Sequence, residues 1–120
     1  MAVKNYSELI VWQKAIDLVV EIYEASKCFP RDEVYGLISQ LKRAVVSVPS
    51  NIAEGQGRRT SNEFIHFLYI ANGSLREVET QVVIAQRLGL VAEDRKRDLL
   101  SQSAEVGRIL YGLIKSLETH

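Results

Sequence analysis

One cysteine in 120 residues, Cys28, leaves no partner for an internal disulfide. Two histidines, His66 and His120, are too few to build a histidine-based metal centre. Formal charge is also missing: 15 Lys and Arg balance 15 Asp and Glu, with a pI near 6.7. A whole-chain field that would steer nucleic acid or an anionic membrane is therefore absent. No apolar run approaches the roughly 20 residues of a membrane span. The opening Met1-Ala2-Val3-Lys4-Asn5 lacks a hydrophobic signal region, so a cytoplasmic location and no membrane partner are expected. With Ile22 and Phe29 nearby, Cys28 is expected to be a small buried side chain. Only seven glycines and two prolines interrupt the chain, and hydrophobic residues make up 47% of it. That composition suits one globular domain, 1–120, with a helical lean.

What is present is helical periodicity. After Ser7, a good N-cap, Leu9, Trp12, Ile16, Val19 and Tyr23 recur at spacings of three and four, with Tyr6 placed to staple onto Val11. A second seam, Val11, Ala15, Leu18, Ile22 and Ala25, has the same spacing and lies about 110° away at 100° per residue. Together they exceed the stripe one surface helix needs, so this helix wants neighbours on two sides. Phe29-Pro30 breaks it. A second helix shows Leu37, Leu41, Ala44, Val45, Val48 and Ile52 on one face, and is expected to kink at Pro49. Gly55-Gln56-Gly57 ends it, the glycines supplying left-handed turns. Thr60 to Glu63 fits a capping box for a third helix carrying Phe64, Leu68, Ala71, Leu75, Val78, Val82 and Ala85. Gly89 stops it, and Leu99, Val106, Leu110, Leu113 and Leu117 mark a fourth. Short connections predict an all-α, antiparallel, up-down-up-down four-helix bundle.

Helix two also carries a polar row: Arg43, Ser47, Ser50, Asn51, Glu54 and Arg58. Serine and asparagine are poor helix formers, so a merely solvated face would favour Lys, Glu or Gln. Short polar side chains beside a proline point to close approach by another helix or a ligand. On helix three, His66, Ile70, Gly73, Glu77 and Ile84 form a second face, with Ser74 beside it. Gly73 costs about 1 kcal/mol relative to alanine in mid-helix, which room for a neighbouring backbone would offset. Glu77 is expected among apolar residues, seeking Lys42, Arg43 or Arg58 in this chain or another. These features predict a subunit interface.

Catalytic chemistry finds little. Glu63 and His66 have the spacing of a di-iron motif, but the second such pair and two more glutamates are missing. The run from Gly55 to Arg59 lacks the Lys-Ser/Thr of a phosphate-binding loop and the strand before it. Arg59 and His66 resemble the Arg-x(4–6)-His signature of the all-helical HEPN ribonucleases, although Arg59 precedes the helix that carries His66. No catalytic residue, metal or cofactor is assigned.

A wider likeness rests on Tyr35-Gly36-Leu37, on Gln40 to Ala44, and on Val48-Pro49-Ser50-Asn51-Ile52-Ala53-Glu54-Gly55. With Trp12 and Ala15, Phe29-Pro30, Phe64, Phe67-Leu68, Ile70-Ala71, Gly73-Ser74-Leu75, Glu77, Glu79 and Thr80, the sequence resembles the bacterial four helix bundle protein family, also called the 23S rRNA intervening-sequence protein family. The resemblance runs to Gly89 and implies an antiparallel four-helix bundle, pentameric in some members. A basic, pentameric relative works with a reverse transcriptase and nucleic acid, and the neutral charge here departs from it.

Two functions follow as expectations. The first is a non-enzymatic homo-oligomer, pentameric by resemblance, acting as scaffold or adaptor, with Ser47, Ser50, Asn51, Glu54, Gly73, Ser74 and Glu77 at its contacts. The second is an RNA-binding accessory protein that uses Lys42, Arg43, Arg58 and Arg59, four cations opposed in residues 42–59 by Glu54 alone.

Overall fold

The computed structural model describes residues 5–33 and 36–119. Tyr35 and His120, both singled out above, lie outside that range. Four helices make up the fold: α1 (Ile10–Ser26), α2 (Leu37–Gln56), α3 (Ser61–Arg87) and α4 (Glu93–Glu118). One-turn 3-10 helices at Tyr6–Glu8 and Arg31–Glu33 precede α1 and α2, and no strand occurs among the described residues. The molecule measures 46 × 24 × 19 Å. Its long axis matches the ~40 Å that a 27-residue helix spans at 1.5 Å per residue.

Each helix packs against two others, α1 on α2, α2 on α3, α3 on α4, and α4 back on α1. The result is a four-helix bundle with a single core. Cross-helix contacts fix the register. Ser47 meets Ser74, while Gly55 lies against Phe64 and Phe67. Glu79 meets Ser103, and Gly107 faces Leu75 and Arg76. Lys14 pairs with Glu105 at 3.7 Å, and Arg95 reaches Glu21 through an ion pair at 3.6 Å and its backbone carbonyl at 3.3 Å.

Helix ends follow local chemistry. The Thr60 hydroxyl accepts the Glu63 amide at 3.1 Å and donates to its carboxylate at 3.2 Å, satisfying a donor that the first turn of α3 leaves free. At the other end Gly89 has φ +77°, with Gly89 N–H bonded to the Gln86 carbonyl and Leu90 N–H to that of Ala85. This is the paired closure of a Schellman motif, and only glycine enters it without steric cost.

Several expectations are corrected. Ser7 lies inside the first 3-10 turn, which Asn5 caps, and α1 begins at Ile10 after Leu9, with no side-chain cap. Tyr6 meets Trp12 edge-on at 5.2 Å rather than stapling onto Val11. Both seams of α1 are apolar, but Val11, Ala15, Leu18, Ile22 and Ala25 are the ones buried in the core. Trp12, Ile16 and Val19 remain half-buried and Tyr23 is exposed. Cys28 is exposed, because it follows the last turn of α1 and only Phe29 turns inward. Gly55 and Gly57 make no left-handed turn: Gly57 has φ −80°, and Gly55 sits inside α2 where a Cβ would stand 2.6 Å from Phe67 Cβ. On α4, Ser103 and Ile114 fill core positions, whereas Leu113 and Leu117 are only half-buried.

Candidate functional site

Ser47 on α2 and Ser74 on α3 share a hydrogen bond of 2.8 Å across the interhelix seam. Asn51, one turn further along α2, donates to both the Ser47 carbonyl and the Ser47 hydroxyl at 2.9 Å. Short side chains let the two helices approach, and their polar atoms satisfy one another in the gap. Above this triad lies a cleft of about 380 Å³, rimmed by Gln40, Arg43, Glu77 and Gln81. Among the described residues one group there is unmet: the Gln81 side-chain oxygen is buried and finds no hydrogen-bond partner.

Ser47, Asn51 and Ser74 are therefore brought together, and the other members of the predicted cluster are not. Ser50 bonds back to the Val46 carbonyl at 2.8 Å and borders a different groove. Glu54 pairs at 3.5 Å with Arg58, which lies past the end of α2 rather than in its polar row. Glu77 is exposed rather than set among apolar residues, since its neighbours Ser74 and Val78 take the inward positions. It forms no ion pair with Lys42, Arg43 or Arg58 among the described residues. A Cβ on Gly73 would meet nothing within 4 Å, so the space beside it is open in the single chain.

The four cations of the second expectation do not form one patch. Lys42 lies over the Tyr23 ring at 4.6 Å, towards α1. Arg43 borders the α2–α3 cleft instead. Arg58, past the C-cap of α2, covers Phe67 at 4.7 Å, and the end of α2 lies about 21 Å from Lys42 by helix rise. Arg59 is exposed just before the α3 cap. His66 is exposed in the second turn of α3, edge-on to Phe67, and no hydrogen bond joins it to Arg59 among the described residues.

The half-buried seam of α1 has its own groove. Trp12, Ile16 and Val19 line about 290 Å³ together with Val46, Pro49 and Ala53 of α2, and Tyr6 closes one end. Val20, 54% exposed, flanks it on α1, and Val46 is 39% exposed. Pro49 and Val46 went unrecognised as part of this surface because reading α2 alone cannot say which flank α1 covers. A second groove was also missed, between α3 and α4, where Arg76, Arg108 and Tyr111 border about 740 Å³. Its two walls belong to different helices, Arg76 and Arg108 standing thirty-two positions apart in sequence, and no local pattern marks it.

The chain belongs to the 23S rRNA-intervening sequence protein family, whose sequence profile matches residues 7–112. The bundle is similar to the crystal structure of a protein with unknown function from the S23 ribosomal protein family of Bacteroides thetaiotaomicron VPI-5482. The TM-score is 0.82 at 22% identity, over 88% of this chain and 96% of that one, which shows a shared fold. No curated protein matches the chain.

Proposed function

We propose that this chain is a non-enzymatic subunit that associates with copies of itself and serves as a scaffold or adaptor. The observation that carries this is the α1–α2 groove. Leu9 and the helical positions Trp12, Ile16, Val19 and Tyr23 form the first α1 seam, yet the bundle buries none of them fully. A contiguous apolar surface rimmed by polar residues marks a protein contact.

The occupant is a second copy, because the same chain offers a complementary strip elsewhere. Ile70 and Ile84 on α3 are 40% and 42% exposed, and the open space at Gly73 between them admits a close neighbour. Two unlike surfaces on one subunit suit a heterologous contact, which closes into a ring when the rotation permits. Five subunits is the count that the family resemblance implies.

Light scattering and sedimentation at micromolar protein test the proposal. A stable oligomer is expected, and Val20→Glu with Val46→Glu, both at exposed positions, should convert it to monomer without loss of helical signal. A clean wild-type monomer under these conditions refutes it. Nucleic-acid binding through Lys42, Arg43, Arg58 and Arg59 gains no support from their separation.

A further inference from the structure

The cleft between α2 and α3 sets two complementary pairs opposite each other, and neither pair closes. The two helices run in opposite directions, because Ser47 bonds Ser74 while Gly55 lies against Phe67. One turn beyond the serines, Arg43 and Ala44 on α2 stand level with Glu77 on α3, and a further turn brings Gln40 level with Gln81. All five border the cleft of about 380 Å³. A cation thus faces an anion, and one primary amide faces another. Among the described residues no ion pair joins Arg43 to Glu77, and neither has an ion-pair partner elsewhere. No hydrogen bond joins the Gln40 side chain to that of Gln81 among the same residues.

The floor leaves two polar atoms over. Ser47 and Ser74 have two hydroxyl protons between them, and their shared bond uses one. Asn51 brings a donor to the Ser47 oxygen, so the second proton still finds no acceptor among the described residues. The Gln81 side-chain oxygen is buried and finds no donor there. Buried polar groups nearly always have partners, because an unmet one forfeits its hydration without return. The space in front of these atoms far exceeds the ~15 Å³ that one water needs. It falls within the range of about 300–1,000 Å³ that small-molecule sites occupy.

The unmet groups divide by helix. The α2 wall contributes the guanidinium of Arg43, and the α3 wall contributes two acceptors, the Glu77 carboxylate and the Gln81 oxygen. We infer that the cleft binds a free α-amino acid. Its carboxylate lies against Arg43, whose paired N–H donors match two carboxylate oxygens, and takes the remaining serine proton. Its ammonium has three donors, enough for Glu77 and the Gln81 oxygen with one left for the Gln40 amide. A ligand with only one of these charges leaves the opposite wall unmatched. Both walls come from one chain, so the site stands whether or not copies associate.

A thermal-shift screen of L-amino acids at about 10 mM, followed by isothermal titration calorimetry of the best one, tests it. A Kd below about 1 mM is expected. The deamino and decarboxy analogues of that compound, each keeping one charge, should bind at least about tenfold more weakly. Arg43→Gln and Glu77→Gln, both at exposed positions, should each weaken binding about tenfold or more with the circular dichroism spectrum unchanged. Gln81→Met, which removes the buried oxygen and keeps the side chain's length, should weaken it at least about fivefold. Arg58→Gln, outside the cleft, should leave affinity within about twofold. Binding should persist in Val20→Glu with Val46→Glu, which separates this result from the test of self-association. The inference fails if no amino acid binds and water alone fills the cleft, or if a singly charged analogue binds as tightly. Affinity that survives both Arg43→Gln and Glu77→Gln, or that is lost with Val20→Glu and Val46→Glu, overturns it equally.

Discussion

Gly55→Ala and Gly73→Ala make the same chemical change in two helix interiors, and the structure predicts opposite signs. Alanine improves on glycine in a helix by about 1 kcal/mol, so propensity alone would stabilise both variants. At Gly73 nothing lies within 4 Å of the added methyl, and the full gain of about 1 kcal/mol should appear. At Gly55 the methyl would stand 2.6 Å from Phe67 Cβ, 3.0 Å from Phe64 Cδ1 and 3.3 Å from the Phe64 carbonyl oxygen. Two of these atoms are fixed to the α3 backbone and cannot swing aside. Relief requires α3 to retreat from α2 by about an ångström, and overpacking of this kind costs about 1–3 kcal/mol. Retreat also stretches the Ser47–Ser74 bond at 2.8 Å, which contributes another ~1 kcal/mol. Against the propensity gain, the net destabilisation should be about 1–3 kcal/mol. Urea unfolding followed by circular dichroism reads both values, at one protomer concentration because any assembly adds to apparent stability. A Gly55→Ala variant as stable as wild type would refute the close approach of α2 and α3. If Gly73 seats a neighbouring subunit, Gly73→Ala will raise monomer stability while weakening association in light scattering.

Other positions give sharp expectations in the same assay. Ser103→Ala leaves the Glu79 carboxylate without its buried donor, and should cost about 1.5–3 kcal/mol, whereas a loss under 0.5 would mean that Arg76 alone suffices. Gln81→Met removes the orphaned oxygen while keeping the side chain's length, and should raise stability by about 1 kcal/mol; a loss of that size would show that the oxygen is satisfied in solution. Gly89→Ala forces φ +77° on a residue with a Cβ and should lower stability by about 1–2 kcal/mol, so an unchanged unfolding midpoint would count against the Schellman closure.

How much of this was legible in the sequence depends on whether a feature belongs to one helix or to two. Thr60 and Glu63 act within a single turn, and Gly89 within a single closure, so both could be read from local chemistry. The four helices themselves followed from period alone, because apolar residues three and four apart share a side wherever the helix is put. What period cannot say is which side meets a partner. The two seams of α1 are equally apolar, and the burial of Val11, Ala15 and Leu18 rather than Trp12, Ile16 and Val19 was settled by α2 and α4 together. Glu77 raised the same ambiguity: its apolar neighbours in the sequence face inward, and it faces water.

Charge is hard to read from a window for a related reason. Lys42, Arg43, Arg58 and Arg59 stood out because they are close in the chain, yet Lys42 turns to Tyr23 and Arg58 to Phe67. Arg76 and Arg108 are thirty-two residues apart and border one groove. In a bundle, residues at three-turn spacing share a face, and short connections bring the faces of successive helices side by side. Counting charge in a contiguous window therefore samples around a helix, whereas a binding surface runs along it. The zero net charge of this chain constrains its long-range field and says little about any one face. Here the groove between α1 and α2 is lined mostly by apolar side chains, and the groove between α3 and α4 carries Arg76, Glu79 and Arg108 together.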